Sequence, residues 1–142
     1  MRFWDASALV PLLVFERGTA LVARWLRQDP GVVVWTLTRV ELFSALARQR
    51  RTVERDAAVL SAARRDLLEE WERWSEIIDV DVVRRHAERL VEIHPIKAAD
   101  ALQISAALVA AQQNSVLHEF VTLDEVQATA AEREGFRVLT WP

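Results

Sequence analysis

The chain has 142 residues, of which 51% are hydrophobic and 27% charged, and its formal net charge is −3. This length is sufficient for one domain with a substantial core. Cysteine is absent, which excludes disulfides and thiolate metal sites and suits a cytoplasmic protein. The mean hydropathy is near zero, so we expect no membrane-spanning segment, and Asp5 interrupts any apolar leader of the secretory kind.

Short apolar runs of the strand type alternate with stretches of helical periodicity along the chain. This alternation predicts an α/β fold in which helices cover both faces of a parallel sheet. Two turn signals support this division of the chain into strands and helices. Asp29-Pro30-Gly31 precedes the second apolar run, and Pro95 separates two predicted helices. The predicted strands are Arg2 to Asp5, Val32 to Thr36, Ile77 to Val80, Glu119 to Thr122, and Arg137 to Leu139.

The segment between the second and third predicted strands is helical and predicts a long arm at about residues 38–75. Its first helix is expected from about Thr38 to Arg50, and an apolar stripe predicts a second helix from Val53 to Trp74. The stripe is expected to pack against the first helix. Alternatively, its end around Trp71 is a partner surface, because the second helix would overhang the first. The stripe consists of Val53, Ala57, Leu60, Leu67, Trp71 and Trp74, with Arg64 interrupting it.

Four acidic residues follow predicted strand ends or open predicted helices. Asp5 ends the first strand, and Asp124 follows the fourth. Glu41 lies one turn into the helix after the second strand, and Asp100 lies in the first turn of the helix that opens near Lys97. Ligands of an open parallel sheet bind beyond the carboxyl ends of its strands, so we expect these acids to converge. Clustered carboxylates need a cation, and oxygen ligands without His or Cys select Mg²⁺ or Mn²⁺.

Each of these acids also has a simpler interpretation at a helix N-terminus. The stretch from Thr38 to Glu41 matches a capping box, as does the stretch from Thr122 to Glu125, which would place Asp124 in a first helical turn. Asp100 would then be an ordinary first-turn acid, and Asp5 would cap a helix that starts near residue 7. All four acids at one end of the sheet favour a shared site over four unrelated caps.

Other ionisable residues are not assigned to this site. Asp81 is expected to cap the helix after the third strand, with Asp79 inside or just past that strand. The three histidines, His86, His94 and His118, do not have the spacing of zinc ligands.

Four segments carry a resemblance to a known family, and they span nearly the whole chain. They are FWDASAL, TLTRVELFSALARQ, IKAADALQISAAL and FVTLDEVQATAAEREGFRVL, in that order. In these segments the sequence resembles the PIN-domain ribonucleases, in particular the VapC toxins of bacterial toxin–antitoxin pairs. The resemblance implies a single PIN domain over residues 1–142, a three-layer α/β sandwich with a five-stranded parallel sheet of order 3-2-1-4-5.

The resemblance also implies roles for individual residues. The family's catalytic acids correspond to Asp5, Glu41, Asp100 and Asp124, of which the three aspartates would be metal ligands. Ser7 and Thr122 match small hydroxyl residues beside the family's site. The chain departs from the pattern at Gln103, where many relatives have His, but this residue is not one of the acids.

The implied activity is hydrolysis of RNA phosphodiester bonds by a metal-activated water, which leaves a 5′-phosphate and a 3′-hydroxyl. The implied cofactor is Mg²⁺ or Mn²⁺, and the implied partners are an RNA substrate, a VapB-like antitoxin and a second copy of the chain. The alternative is a catalytically silent PIN module that only binds RNA or protein.

Basic residues near the predicted site are candidates for substrate binding. Lys97 lies close to Asp100, and an arginine cluster lies between the two arm helices. A solvated turn between helices is the alternative interpretation of that cluster, which comprises Arg48, Gln49, Arg50, Arg51 and Arg55.

Overall fold

The computed structural model describes residues 1–52 and 56–142. Its strands are β1 (Arg2–Trp4), β2 (Val32–Trp35), β3 (Ser75–Ile77), β4 (Glu119–Val121) and β5 (Arg137–Leu139). Its helices are α1 (Ala6–Leu13), α2 (Thr19–Gln28), α3 (Thr38–Thr52), α4 (Ala57–Trp71), α5 (Val80–Ile93), α6 (Ala98–Gln113) and α7 (Glu125–Arg133). The strands form one sheet in the order β3-β2-β1-β4-β5 with every pairing parallel, which confirms the predicted fold class and strand order.

Strand β1 lies at the centre of the sheet. Phe3 is opposite Val33 of β2 on one side and opposite Phe120 of β4 on the other. Every residue of β1 and β2 is buried, as expected of inner parallel strands that are covered on both faces. The carboxyl ends of β1, β2 and β4 therefore meet at the middle of one sheet edge.

The sheet separates two apolar cores, because successive strand residues point to opposite faces. Phe3 and Val33 face a core that α5, α6 and α7 cover, and the Phe3 and Phe120 rings stack with centroids 5.4 Å apart. Trp4 and Val34 face the second core, under α1 to α4. This arrangement is the predicted three-layer sandwich. Among the described residues, no helix is both long and apolar enough to cross a membrane.

The third strand was predicted too late in the sequence. It covers Ser75–Ile77 rather than Ile77 to Val80. The reason is a helix cap: the Asp79 side chain accepts a hydrogen bond from the Val82 amide at 3.2 Å, so α5 already begins at Val80. Asp79 is therefore the N-cap, and the prediction that Asp81 caps this helix is wrong, since Asp81 lies in the first turn.

The arm helices differ from the prediction in length. Helices α3 and α4 have 15 residues each, and α4 ends at Trp71, so the expected overhang does not exist. Trp71 is only 6% exposed and packs in the second core, which assigns it to the interior of this chain rather than to a partner surface. The stripe does pack inward through Leu60 and Leu67. Val53 lies outside the described residues.

The burial of Trp71 gives a direct stability test. We expect Trp71→Ala to lower the free energy of unfolding of the isolated chain by about 3–5 kcal/mol, because it removes a large buried side chain and leaves a cavity. Chemical denaturation measures this loss. Leu68→Ala, on the exposed side of the same helix, is the control and should cost under about 0.5 kcal/mol. Equal costs for the two variants would contradict the assignment of Trp71 to the core.

Candidate active site

The structure brings the four predicted acids to the carboxyl edge of the sheet. Asp5 directly follows β1, and Asp124 lies three residues after the end of β4. Glu41 is in the first turn of α3, which follows β2, and Asp100 is in the first turn of α6. The acids are close enough to act on one another electrostatically, since Asp5 and Asp100 both raise the pKa of Glu41.

Asp5 is buried, 4% exposed, and its hydrogen bonds gather on one carboxylate oxygen. Oδ2 accepts from the Ser7 amide at 3.1 Å, from the Ser7 hydroxyl, and from Thr122 Oγ1 at 3.0 Å. Asp5 is thus the N-cap of α1, and this role coexists with its place in the acid cluster. Because Oδ2 is taken up by these donors, Oδ1 is the oxygen better placed to serve a ligand.

The two hydroxyl groups that hold Asp5 are themselves held by the backbone. Ser7 Oγ accepts from the Leu123 amide at 2.9 Å, and Thr122 Oγ1 accepts from the Asp124 amide at 3.1 Å. These bonds tie the end of β1 to the turn after β4. Both residues were expected beside the site, and the structure places them between two of its acids.

Sequence reasoning missed Gln127, a fully buried residue of α7. With its amide nitrogen toward Asp5, which can only accept, Gln127 donates to Asp5 Oδ2 and to Thr122 Oγ1, both at 2.8 Å. Its position one turn after Asp124 is the signal that would have found it, because a residue at that spacing lies on the same helix face.

Two of the predicted helix caps are different in the structure. Asp124 is itself the N-cap of α7 and accepts from the Gln127 amide at 2.8 Å, so it does not lie in the first turn behind a Thr122 cap. The polar groups of the predicted capping box, Thr38 and Glu41, both turn toward α6 instead. Each of them bonds the side chain of Gln103.

The surroundings of the cluster raise the pKa values of Asp5, Glu41 and Asp100. Burial raises the pKa of Asp5 above its usual range. Burial, followed by the charges of Asp5 and Asp100, raises the pKa of Glu41 to about 7. Burial, Asp124 and Asp5 raise the pKa of Asp100. A positive charge beside clustered, partly desolvated carboxylates of this kind would stabilise their ionised form.

The donor set suits a hard divalent cation. The acids offer carboxylate oxygens only, which is the preference of Mg²⁺ and Mn²⁺. Within residues 1–52 and 56–142, no three His, Cys, Asp or Glu side chains are close enough to hold one ion directly. Mg²⁺ commonly takes only one or two protein carboxylates and keeps several waters, so the spacing is compatible with such an ion.

The basic residues fall into two groups. Lys97 is exposed at the start of α6, and its charge partly offsets the rise in the pKa of Asp100. Arg48, Arg50 and Arg51 lie on exposed positions near the end of α3, which rises roughly 10–15 Å between Glu41 and these arginines. A cavity of about 440 Å³ lies beside them between α3 and α4, with Arg50 and Arg64 in its lining. Arg55 lies outside the described residues.

The raised pKa of Glu41 predicts a stability that depends on pH. A carboxyl whose pKa rises on folding, here from 4.5 to about 7, stabilises the folded state below pH 4.5, and this contribution is lost as the pH rises to about 7. We therefore expect the melting temperature of the metal-free protein to fall from pH 5.5 to pH 7.5. The fall should be smaller in Glu41→Gln, which cannot ionise. An equal fall of the melting temperature with pH in the two proteins would contradict the contribution of Glu41.

Comparisons with known proteins agree with this architecture. Ribonuclease VapC45 of Mycobacterium tuberculosis (strain CDC 1551 / Oshkosh) is 28% identical over 136 residues, which cover 96% of this chain and 92% of the relative. The crystal structure of Mycobacterium tuberculosis VapC20, a sarcin-ricin loop cleaving toxin, has a TM-score of 0.64 at 18% identity and covers 96% of this chain and 97% of that one.

A toxin-antitoxin complex from Klebsiella pneumoniae has a similar fold, with a TM-score of 0.58, 16% identity and coverage of 87% of both chains. The similarity to VapC proteins that the sequence motifs predicted is therefore confirmed. The family model of the PIN domain matches residues 2–133, and the chain belongs to the PIN-domain family.

Proposed function

We propose that this protein is a Mg²⁺- or Mn²⁺-dependent endoribonuclease that acts as the toxin of a toxin–antitoxin pair. The observation that carries the proposal is the acid cluster: Asp5, Glu41, Asp100 and Asp124 lie at one sheet edge, where burial and the charges of neighbouring acids raise the pKa values of Glu41 and Asp100. The curated relatives are named ribonucleases, which supports RNA as the substrate class.

In this proposal the three aspartates hold the metal ion in part through its water molecules, because no three such side chains among the described residues are close enough to bind one ion directly. Asp5 offers Oδ1, since its Oδ2 accepts from Ser7 and Thr122. Asp124 uses Oδ1 to cap α7, which leaves its second oxygen for the ion. When bound, a divalent ion lowers the pKa of a water and offsets the charge that develops on a phosphate.

Glu41 is suited to move the proton in this reaction. The pKa of Glu41 is about 7 in the cation-free site, and a bound divalent ion would lower it, so that the carboxylate is ionised and able to accept a proton at neutral pH. In the proposed hydrolysis, water attacks phosphorus and gives up a proton. The bond from phosphorus to the 3′ oxygen breaks, and that oxygen takes up a proton. The products are a 5′-phosphate and a 3′-hydroxyl.

Basic side chains are proposed to hold the RNA backbone on either side of the acids. Lys97 adjoins Asp100 at the start of α6 and is placed to bind the phosphate next to the cleaved one. Arg48, Arg50 and Arg51 lie farther out on α3, where they would bind more distant phosphates. Their distance from the acids restricts them to binding and excludes a direct role in bond cleavage.

The proposed partners follow from the relatives. One neighbour of this fold is a toxin-antitoxin complex, which supports a VapB-like antitoxin that blocks the site. The acid cluster would favour a cationic side chain from such a partner. The chain is further proposed to act as a single PIN domain, to pair with a second copy and to work in the cytoplasm.

A catalytically silent PIN module remains the second candidate. It is favoured by the finding that, among the described residues, no three acidic or His side chains are within common ligating distance. Mn²⁺ titration beside an RNA cleavage assay distinguishes the two candidates. Metal-dependent cleavage supports the nuclease, and RNA binding with neither metal binding nor cleavage supports the silent module.

Replacing a ligand should abolish activity without unfolding the protein. We expect Asp5→Asn to lower the rate of Mg²⁺-dependent RNA cleavage on the order of 100-fold or more, because an electrostatic contribution to the transition state is lost. The metal-free melting temperature should hold or rise, since the repulsion between carboxylates is relieved. Asp81→Asn, on an exposed position of α5, is the control. Cleavage by Asp5→Asn at the wild-type rate would contradict the site assignment.

The role of the arginines is testable through salt dependence. Each phosphate contact that is lost should reduce the slope of log affinity against log salt by about 0.7 for a single-stranded RNA. We expect this change for Arg50→Ala in an Asp5→Asn background, where the RNA stays intact during the titration. Arg27→Ala, on an exposed position of α2, is the control and should keep the slope. If the slope of log affinity against log salt is the same in all proteins, Arg50 does not contact the RNA and the arginines are simply the solvent-exposed end of a helix.

A further inference from the structure

Gln103 is a fully buried polar residue in the middle of the site. It lies on α6, one turn after Asp100, and its side chain crosses to α3. Its Nε2 donates to Glu41 Oε1 at 2.8 Å and is 2.9 Å from Thr38 Oγ1. Its Oε1 accepts from the same threonine hydroxyl at 3.1 Å. Both ends of the amide are therefore satisfied by α3, as a buried amide requires.

Glu41 depends on this amide for its orientation. Within the described residues, Gln103 is the side chain that donates a hydrogen bond to the Glu41 carboxylate. Asp5 is different, because the Ser7 amide, the Ser7 hydroxyl and the Thr122 hydroxyl all donate to it. The loss of one donor would thus leave Asp5 in place but would release Glu41.

The position of Gln103 on α6 links two of the acids. Asp100 and Gln103 are three residues apart, so they lie on the same face of the helix. One helix therefore presents a carboxylate to the site and also supplies the amide that holds a second carboxylate, from α3, beside it. The separation of Glu41 from Asp100 is set by this amide and by the contacts that α3 and α6 each make with β2.

We propose that Gln103 is a positioning residue, which holds the Glu41 carboxylate beside Asp100 in the geometry that the cation and the RNA require. This inference rests on the proposed function. The amide suits the role because it is neutral: it orients the carboxylate and leaves the negative charge of the cluster available for a cation. A lysine or arginine at this position would orient Glu41 but would also compete with the metal.

The experiment compares five proteins: wild type, Gln103→Met, Gln103→His, Ile104→Val and Gln113→Met. Gln103→Met has a similar shape but no donor, whereas Gln103→His keeps an N–H that can face Glu41. Ile104→Val disturbs the packing of α6 at the adjacent buried position but removes no hydrogen bond. Gln113→Met is the same substitution at an exposed position of α6. The measurements are Mn²⁺ affinity by calorimetry, kcat and KM for RNA cleavage, and thermal unfolding.

We expect Gln103→Met to weaken Mn²⁺ binding or lower kcat by roughly 10–100-fold, the usual effect of losing a group that orients an acidic side chain of a metal site. KM for RNA should change little, because Gln103 is buried and does not touch the substrate. Gln103→His should recover much of the loss, while Ile104→Val and Gln113→Met should bind Mn²⁺ like the wild type.

Two results would overturn the role of Gln103. One is wild-type Mn²⁺ affinity and kcat in folded Gln103→Met. The other is an equal loss in Ile104→Val, which would mean that disturbed packing of α6 is the cause. If Gln103→Met does not fold, Gln103→Asn, whose amide is one methylene too short to reach Glu41, takes its place in the same comparison. A wild-type protein that neither binds Mn²⁺ nor cleaves RNA would instead overturn the proposed function.

Discussion

The repulsion among four carboxylates at one edge of the sheet is the constraint on which the rest of this structure depends. Asp5 is buried, and Glu41 and Asp100 are partly buried, so water screens their charges poorly. This burial raises the pKa values of all three, and the charges of neighbouring acids add to the rise at Glu41 and Asp100. The fold must therefore hold these carboxylates together by other contacts when no cation is bound.

Neutral donors supply those contacts. The hydroxyl groups of Ser7 and Thr122 and the amide of Gln127 surround Asp5, and the amide of Gln103 holds Glu41. Hydrogen bonds to a carboxylate stabilise its charged form without removing its charge. The site consequently keeps its negative charge, which a lysine or arginine at the same positions would offset.

The helices contribute through the places where they begin. Asp5 and Asp124 are N-caps of α1 and α7, and Asp100 lies in the first turn of α6. The partial positive charge of a helix N-terminus favours anions there, so the helix ends offset part of the repulsion among the acids. A position at a helix N-terminus and a place in the acid cluster are thus combined in the same residues. The acids of the cluster therefore agree both with the interpretation as helix caps and with the interpretation as a shared site.

The sequence by itself determined the fold class, the strand order through its family motifs, and the identity of the clustered acids. These features depend on local patterns: apolar runs that alternate with helical periodicity, and acids that follow strand ends. The tertiary structure decided the start of α5, the equal lengths of α3 and α4 and the burial of Trp71, because caps and core packing override periodicity at helix ends. It also decided the roles of Gln103 and Gln127. Their amides matter only because α3, α6 and the strand ends of β1 and β4 meet in space, and no local pattern records which carboxylate a distant amide will face.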